Sequence, residues 1–376
     1  MAEFPAINQL IVKLASRCNI NCSYCYWFND PRVLQSPKII EEPVIHALLP
    51  KLQSHIIKYN LKKFKLSFHG GEPTLFPKNK FRSLCESLKS LSQKTGCHFQ
   101  LSMQSNALLI DDEWMDLLLS YHIDLGISLD GDKQLHDQYR IDMKGRGTYE
   151  KTVKAIERIR KSGLNPYILS VANPTSDPIR LINHFVDTLG LKRFDILVPH
   201  KHHGHNRESI ADFYCKLYDK YQEELIDQDV EIRILDDIMS QVLGRKGSVY
   251  GQGYITTTTL LTDGSLEAID DLRMIDGLTP SKVNIKTHAL QDVSQDPWWR
   301  EIYHSSIHLC STCKNCDYKA TCGGGLGLLV SRWSDTKRFN NVSVYCDDFK
   351  EIINHVEQRL APHIYSKSLE TRVGGK

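Results

Sequence analysis

Short apolar and β-branched runs alternate along the chain with longer stretches in which apolar residues recur every three or four positions. Six short runs have the length and composition of buried strands. They are LIVKLAS (10–16), KFKLSF (63–68), HFQLSMQS (98–105), DLGISLD (124–130), NPYILSVA (165–172) and RFDILVP (193–199). Helical patterns occupy 41–59, 79–94, 111–121, 148–161 and 177–188. Strands separated by helices of this length predict parallel βα units.

The alternation stops after residue 205. Two helical stretches, 208–227 and 234–244, lead to YITTTTLLTDGSLEAID (254–270), where Asp263-Gly264 predicts a hairpin turn. The predicted fold class is α/β, a partial (β/α)6 TIM barrel followed by a cysteine-rich C-terminal module. The predicted domains are a barrel over 1–206, a helical linker over 207–253, and the module with a C-terminal helix over 254–376.

Charge and hydropathy exclude several classes of partner. Lys+Arg 47 against Asp+Glu 45 gives a formal charge of +2, so we expect neither a nucleic-acid partner nor an acidic membrane surface. The chain has no long apolar run, and its first residues, MAEFPAINQL, lack the features of a signal peptide. We therefore expect a cytoplasmic protein without a membrane segment.

The eleven cysteines fall into two groups and three isolated positions. Because the cytosol keeps thiols reduced, grouped cysteines there indicate metal binding or catalysis rather than disulfides. The first group is Cys18, Cys22 and Cys25, and the second is Cys310, Cys313, Cys316, Cys322 and Cys346. The isolated Cys85, Cys97 and Cys215 are assigned to packing.

Polar motifs follow four of the predicted strands directly. The first cysteine group, HGGEP (69–73), QSNA (104–107) and SLDG (128–131) each stand at a strand's carboxyl end. In parallel α/β folds the active site lies at the carboxyl ends of the strands, so we expect the four motifs to lie together at that end of the barrel. Zinc is one metal for the first group, although structural zinc takes four ligands and usually a tighter Cys-x2-Cys knuckle.

The spacing Cys-x3-Cys-x2-Cys at the end of a first strand, with Tyr24 before the third cysteine, resembles the radical S-adenosylmethionine (radical SAM) superfamily. The resemblance implies a 4Fe-4S cluster on Cys18, Cys22 and Cys25 whose fourth iron binds SAM. It further implies reductive cleavage of SAM to a 5′-deoxyadenosyl radical that abstracts a hydrogen atom from the substrate. The residues that match the superfamily's cofactor-binding positions are Tyr24, Gly70, Gly71, Glu72, Gln104, Ser105, Asn106, Ser128 and Arg140.

Those positions have distinct expected roles. The glycine pair Gly70-Gly71 lets backbone approach a ligand closely, and carbonyl or carboxylate acceptors near Glu72 can hold the methionine ammonium. Residues 104–106 stand where the superfamily contacts the ribose. Ser128 and Arg140 match a pair that grips the SAM carboxylate, for which a guanidinium fork is suited.

The second group, CSTCKNCDYKATCGGG (310–325) with Cys346, resembles the SPASM extension of radical SAM enzymes that act on peptides. The resemblance implies an auxiliary 4Fe-4S cluster, and the sequence alone leaves a structural zinc site open. The predicted ligands are Cys313, Cys316, Cys322 and Cys346, with Cys310 as the competing ligand. A second auxiliary cluster is not expected, because Leu326 stands where a further cysteine would be and residues 250–309 contain none.

Two reaction types compete. The combination DGSLEAIDDLR, CGGG and NNVSVYCDDF is similar to maturases of ribosomally made peptides that join an aromatic ring to a nearby side-chain β-carbon, forming a cyclophane. HGGEPTL and SLDG are shared with anaerobic sulfatase-maturating enzymes, which make formylglycine, and peptide epimerisation is a third outcome. Asp270 and Asp271 are the candidate proton acceptors, against the alternative of exposed surface carboxylates.

The expected partners follow from this chemistry. They are a precursor peptide and an external electron donor such as flavodoxin or ferredoxin. The metal loop begins at Cys18 and leaves no upstream room for a recognition domain, so we expect the precursor to bind the barrel or module directly or with the help of a separate leader-recognition protein. A non-catalytic iron–sulfur or zinc scaffold is the alternative to an enzyme. It would not need Glu72, Ser128 and Arg140.

Overall fold

The computed structural model describes residues 4–251, 253–275, 280–334, 336 and 338–373. The chain forms two compact units. One comprises Met1–Leu169 and Ile255–Tyr303, and the other comprises Ser170–Tyr254 and His304–Lys376. The chain thus leaves the first unit, returns to it, and leaves it again.

Strands and helices alternate through the first two hundred residues. The strands are β1 Gln9–Ala15, β2 Ile20–Cys22, β3 Lys63–Gly70, β4 His98–Ser105, β5 Asp124–Ser128, β6 Arg140–Asp142, β7 Tyr167–Val171, β8 Arg193–Leu197, β9 Glu231–Ile232, β10 Thr257–Leu260 and β11 Leu266–Glu267. The helices are α1 Tyr26–Asn29, α2 Glu42–Lys58, α3 Lys78–Thr95, α4 Asp112–Ser120, α5 Lys133–Tyr139, α6 Tyr149–Lys161, α7 Pro178–Asn183, α8 Ala211–Lys220, α9 Arg233–Val242, α10 Pro297–Ile307, α11 Ser311–Lys314, α12 Lys319–Cys322 and α13 Cys346–Val373.

The first unit is built on a sheet with the strand order β11-β10-β1-β3-β4-β5-β7. Its neighbours pair in parallel, except for the antiparallel hairpin β10–β11. The alternation along β3 shows why it lies in the core: Phe64, Leu66 and Phe68 are buried, while Lys63 and Lys65 on the opposite face are exposed. The confirmed hairpin turns at Gly264, whose φ of +92° favours glycine.

The second unit contains the parallel pair β8–β9, in which Phe194 is opposite Ile232. Helix α8 buries Tyr214, Leu217 and Tyr218. A buried carboxylate, Asp195, accepts hydrogen bonds from Arg233 Nε at 2.8 Å and Tyr250 Oη at 3.0 Å. This unit also contains the second cysteine group.

The predicted α/β class and all six predicted strands are confirmed, as β1, β3, β4, β5, β7 and β8. The compact units, however, do not follow the predicted segments 1–206, 207–253 and 254–376. Residues 255–303 belong to the first unit because β10 pairs in parallel with β1, with Leu10 opposite Thr258. No helix in the described part of the chain has the length and apolar character needed to cross a membrane.

Candidate functional site

The first cysteine group lies in the loop between β1 and α1. Cys18 follows β1, Cys22 ends β2, and Cys25 directly precedes α1. All three thiols are half-buried and free of disulfides. Burial raises the pKa of Cys18 to about 12 and that of Cys22 to about 11, and the negative charge of Cys25 adds to both shifts. A cysteine that binds a metal must be deprotonated, and the raised pKa values mean that these thiols lose their protons only when a cation is bound. A cationic iron cluster bound to all three sulfurs fits this requirement.

The two glycines of HGGEP pack against the backbone of this loop. A Cβ at Gly70 would lie 2.3 Å from Ala15 O, and one at Gly71 would lie 2.3 Å from Arg17 O. The amides of Gly71 and Glu72 donate to Ala15 O and Arg17 O at 2.8 Å. The close approach that the sequence suggested toward a ligand is therefore used to hold the cysteine loop.

Glu72 joins the ends of β3 and β4. Its buried carboxylate accepts from Thr74 N at 3.1 Å and Thr74 Oγ1 at 2.5 Å, from Ser105 Oγ at 2.8 Å, and from Asn106 N at 2.9 Å. Burial raises the pKa of Glu72 against the lowering effect of these bonds. Asn106 Nδ2 in turn reaches Asn19 Oδ1 at 2.8 Å and lies 3.6 Å from Cys18 Sγ. Because protein donors surround its carboxylate, Glu72 has a structural role and links the segments that follow β3 and β4.

Arg140 approaches the thiols from the antiparallel pair β2–β6, where it is opposite Cys22. Its Nη1 lies 3.9 Å from Cys22 Sγ, while Nε and Nη2 donate to Asp130 at 2.7 and 3.3 Å. Tyr24 Oη donates to the same carboxylate. Two guanidinium nitrogens are thus engaged by Asp130, and Nη1 faces the cysteine loop.

Gln104 and Ser128 are joined across neighbouring strands. Gln104 Nε2 donates to Ser128 Oγ at 3.0 Å. A Cβ at Gly126 would lie 2.1 Å from Gln104 Oε1, so the glycine makes room for this side chain. The structure therefore gathers residues of all four strand-end motifs in the first unit.

Asp270 is buried in a polar network beside α1. Tyr26 Oη donates to Asp270 Oδ2 at 2.7 Å, and the fully buried Lys13 donates to the same oxygen. Lys13 Nζ also lies 3.1 Å from His69 Nδ1 and 4.4 Å from the centroid of the Trp27 ring. Asp271 is the adjacent residue, and the bonds from Lys13 and Tyr26 single out Asp270.

The charges in this network fix the ionisation of Asp270. Burial by itself would raise the pKa of Asp270, but the charge of Lys13, with smaller contributions from His69 and the hydrogen bonds, holds that pKa well below its usual range. Burial, followed by the charge of Lys13, lowers the pKa of His69 to about 4. Burial lowers the pKa of Lys13, and the charge of Asp270 opposes that shift. At neutral pH the site therefore contains a carboxylate and a neutral imidazole.

All five cysteines of the second group interact within the second unit. Cys310 and Cys313 are buried and pack with Leu309. The charges of Cys310, Cys322 and Cys346 act on Cys313, and that of Cys316 acts on Cys346. In the described part of the chain, no three His, Cys, Asp or Glu side chains are placed as ligands of a single ion.

Backbone amides turn toward the sulfur of Cys322. Burial raises its pKa, but the amides of Gly325, Gly324 and Leu326 oppose this shift, and Gly325 N lies 3.2 Å from Cys322 Sγ. Gly324 and Gly325 have φ of +84° and +118°, which lets successive amides turn toward the sulfur. Backbone N–H groups aimed at a sulfur fit a metal-bound cysteine.

Arg332 lies beside this second group. It is 2% exposed; Nη1 donates to Ser305 O at 2.7 Å and Nε to Asn341 O at 3.2 Å. Nη2 is buried without a hydrogen-bond partner among the described residues. The charges of Cys313, Cys310 and Cys322 act on its guanidinium. Neither Arg332 nor Lys13 was predicted as a site residue. Arg332 carries no sequence pattern that marks it as buried, whereas Lys13 lies within LIVKLAS, and a lysine inside a predicted buried strand is a signal that could have indicated it.

One family model matches the part of the chain that contains the first cysteine group. The Radical SAM superfamily matches residues 12–189. This part of the chain is a radical SAM domain. A radical SAM enzyme uses a 4Fe-4S cluster and SAM, and the three clustered thiols are the residues that fit such a cluster. The matched stretch begins within β1 and includes all four strand-end motifs.

Relatives resemble the radical SAM chain over nearly its whole length. A cysteine-type anaerobic sulfatase-maturating enzyme of Clostridium perfringens is 26% identical over 95% of this chain and 98% of its own. An uncharacterised protein of Synechocystis is 24% identical over 93% of this chain and 90% of its own.

Two solved structures share the fold. Native anSMEcpe with bound AdoMet and peptide has a TM-score of 0.81 at 23% identity, covering 95% of this chain and 99% of its own. SuiB of Streptococcus suis bound to the precursor peptide SuiA has a TM-score of 0.61 at 16% identity, covering 90% and 75%. The predicted radical SAM fold is confirmed.

Proposed function

We propose that this radical SAM enzyme oxidises a side chain of a peptide at its β-carbon. The observation that carries the proposal is Asp270, an ionised carboxylate buried next to the cysteine loop with Lys13 and Tyr26 as donors. Net oxidation of a C–H bond, once the hydrogen atom is abstracted, still requires removal of one electron and one proton. In this proposal Asp270 takes the proton.

The first site holds the cofactors in this proposal. Cys18, Cys22 and Cys25 hold a 4Fe-4S cluster, which with SAM supplies the hydrogen-abstracting radical. Asn106 lies near the sulfur of Cys18 and Arg140 near that of Cys22, and in this proposal both stabilise the cysteine loop. The cofactor-binding residues predicted from the sequence stay a proposal. Some of them face the thiols, whereas others, such as Glu72 and Ser105, hydrogen-bond to each other and support the ends of the strands.

The low pKa of Asp270 limits the kind of acid from which it can take a proton. A weakly basic carboxylate takes a proton only from a strong acid. When a β-carbon radical adds to an aromatic ring and the adduct loses an electron, the resulting cationic ring carbon is such an acid. The protonated thioaldehyde that forms when a cysteine β-carbon radical loses an electron is another, so the pKa fits both products. We favour the cyclophane crosslink on the resemblance of DGSLEAIDDLR, CGGG and NNVSVYCDDF to cyclophane-forming maturases. In that reaction the new carbon–carbon bond forms, the electron leaves, and Asp270 takes the ring proton.

The second cysteine group would receive the electron. We propose one auxiliary 4Fe-4S cluster on Cys313, Cys316, Cys322 and Cys346, with Cys310 as the alternative ligand. The amides around Cys322 and the buried guanidinium of Arg332 support an anionic metal–thiolate centre at this place. The electron then passes to an external protein carrier such as flavodoxin or ferredoxin.

Formylglycine formation is the second candidate. Sulfatase-maturating relatives match this chain over nearly the full length of both proteins, which favours their substrate class, a peptide segment of a sulfatase. Both candidates share abstraction at a β-carbon and differ in the next step. In the crosslink the radical adds to an aromatic ring, whereas in formylglycine formation from cysteine it loses an electron and a proton to give a thioaldehyde, which water converts to the aldehyde with release of hydrogen sulfide. A precursor peptide, with or without a separate leader-recognition protein, is the proposed partner for the first candidate.

The test uses anaerobically reconstituted enzyme and a pool of peptides deuterated at β-carbons, with aromatic residues, cysteine or serine nearby. Deuterium in 5′-deoxyadenosine identifies the abstracted hydrogen. A crosslink removes two hydrogens and leaves every heteroatom in place. An aldehyde from cysteine replaces sulfur by oxygen and reacts with hydrazides. If no peptide transfers deuterium to a cofactor-loaded enzyme that cleaves SAM, the proposal is wrong.

Asp270→Asn separates the proton acceptor from the radical step. We expect deuterium transfer to continue while product formation falls about 10²- to 10⁴-fold, the usual contribution of a general base. Asp271→Asn is the matched variant, and its smaller effect would assign the role to Asp270. Equal effects of both substitutions would contradict that assignment.

A further inference from the structure

The second cysteine group contains a buried cation that the proposed reaction does not use. The guanidinium of Arg332 is bonded on two sides, through Nη1 to Ser305 O and through Nε to Asn341 O. These bonds fix its plane and leave Nη2 buried without a partner among the described residues. Leaving a buried donor without a partner is unfavourable, more so in a charged group, so it indicates a missing acceptor.

The position of Arg332 indicates which acceptor is missing. A Cβ built on Gly324 would lie 3.7 Å from Arg332 Nη1 and 2.7 Å from Leu309 Cδ2. Leu309 packs on Cys310 and Cys313, and Gly324 is two residues from Cys322. Three thiols, those of Cys313, Cys310 and Cys322, act on the guanidinium electrostatically. The guanidinium of Arg332 therefore lies close enough to three thiols of the second group for their charges to act on it.

We propose that Arg332 is a positioning residue for the auxiliary cluster, donating from Nη2 to a sulfur of that cluster and raising its reduction potential. This rests on the auxiliary cluster of the proposed function. Four thiolates leave an oxidised 4Fe-4S centre with net negative charge, and reduction adds another. A buried cation with an N–H···S bond stabilises the reduced form more than the oxidised form. Cys313 and Cys322 belong to both ligand alternatives, so the inference does not depend on Cys310.

A high potential would serve the reaction. The auxiliary centre takes one electron from the substrate adduct as its oxidised form becomes the reduced form, and the external carrier reoxidises it. A higher reduction potential of the auxiliary cluster makes this electron transfer more favourable. Arg332 would thus favour withdrawal of an electron from the substrate.

The test isolates the second site in the full-length Cys18→Ala/Cys22→Ala/Cys25→Ala protein, reconstituted with iron and sulfide. Redox titration followed by electron paramagnetic resonance gives the midpoint potential. We expect Arg332→Met to lower the equilibrium constant for reduction by at least tenfold, about 59 mV for one electron. Arg332→Lys keeps the positive charge and loses the planar guanidinium, so its midpoint potential should lie between those of the unsubstituted protein and Arg332→Met.

Lys350→Met is the matched control. Lys350 stands one turn after Cys346, and the charge of Cys346 acts on it, but its side chain is 42% exposed. Solvent screening should keep its effect on the potential well below that of Arg332→Met. Equal shifts in the two variants, or an unchanged potential in Arg332→Met, would overturn the proposal.

A second measurement needs no substitution of Arg332. In the same background with guanidino-¹⁵N arginine, pulsed resonance on the reduced cluster should show a weak ¹⁵N coupling. Its absence would overturn the hydrogen bond even if Arg332→Met fails to fold. If the second site takes up zinc instead of iron, the auxiliary cluster of the proposed function is wrong. An iron-loaded site that is insensitive to Arg332 refutes this inference alone.

Discussion

Each cysteine group has a buried cation nearby, and the two cations are compensated differently. Lys13 in the first unit is paired with the carboxylate of Asp270. Arg332 in the second unit donates to backbone carbonyls, and thiols are the anionic groups that act on it. The first site therefore balances its charges within the protein, which suits a site where a ligand is exchanged. In the proposed function the second is completed by metal-bound thiolates, which suits a resident cluster.

The largest expected effect separates the two sites. In Cys18→Ala/Cys22→Ala/Cys25→Ala, SAM cleavage should fall to background because the cluster that reduces SAM is lost. The iron of the second group should remain. Product analysis for 5′-deoxyadenosine and iron determination check both statements. Cys85→Ala, which alters an isolated buried thiol, should leave both values unchanged, and loss of all iron in the triple variant would show that the sites are interdependent.

Removing one partner of the Lys13–Asp270 pair should destabilise the fold. Lys13→Met leaves a buried carboxylate without its cation, which costs about 3–5 kcal/mol. Urea denaturation of iron-free protein at neutral pH measures this change in the free energy of unfolding. Lys65→Met, on the exposed face of β3, should change it by less than about 0.5 kcal/mol. Similar losses in both variants would show that Lys13 is not balanced by Asp270.

The frame of the first site should respond to acid through His136. Its Nδ1 accepts from Asp130 N at 3.3 Å, Nε2 lies 3.0 Å from Thr148 Oγ1, and burial followed by the charge of Arg140 lowers its pKa to about 4. Between about pH 6.5 and 4 the unfolded chain binds the extra proton, so stability falls as pH falls, by at most about 1.4 kcal/mol per pH unit.

His136→Gln, measured by urea denaturation across that range, should flatten the dependence. Its profile should be compared with that of His46→Gln, a change at an exposed histidine. An unchanged slope in His136→Gln would mean that other groups cause the loss of stability in acid.

The smallest expected effect concerns the spare thiol of the second group. Cys310→Ala should retain the auxiliary iron, whereas Cys316→Ala should lose it, if Cys316 is the ligand. Both variants are made in the triple-cysteine background and measured by iron content and resonance spectra. The reverse result would make Cys310 the ligand and Cys316 the spare.

Several site features depend on contacts between distant segments. Asp270 and Asp271 are indistinguishable in the sequence, and Asp270 is selected by Lys13, 257 positions away in the chain. The glycines of HGGEP have a signal in the sequence, but whether they approach a ligand or the cysteine loop is decided by the carbonyls of Ala15 and Arg17.

Local sequence patterns were enough to predict the six strands, the hairpin at Asp263-Gly264 and the grouping of the cysteines, because periodicity, turn residues and ligand spacing are local properties. Only the tertiary structure placed β10 beside β1, joined Arg140 to Cys22 and buried Arg332 beside the second cysteine group. Hydrophobic periodicity specifies which face of an element is buried. It does not specify the partner against which that face packs, because that choice depends on segments far apart in the chain.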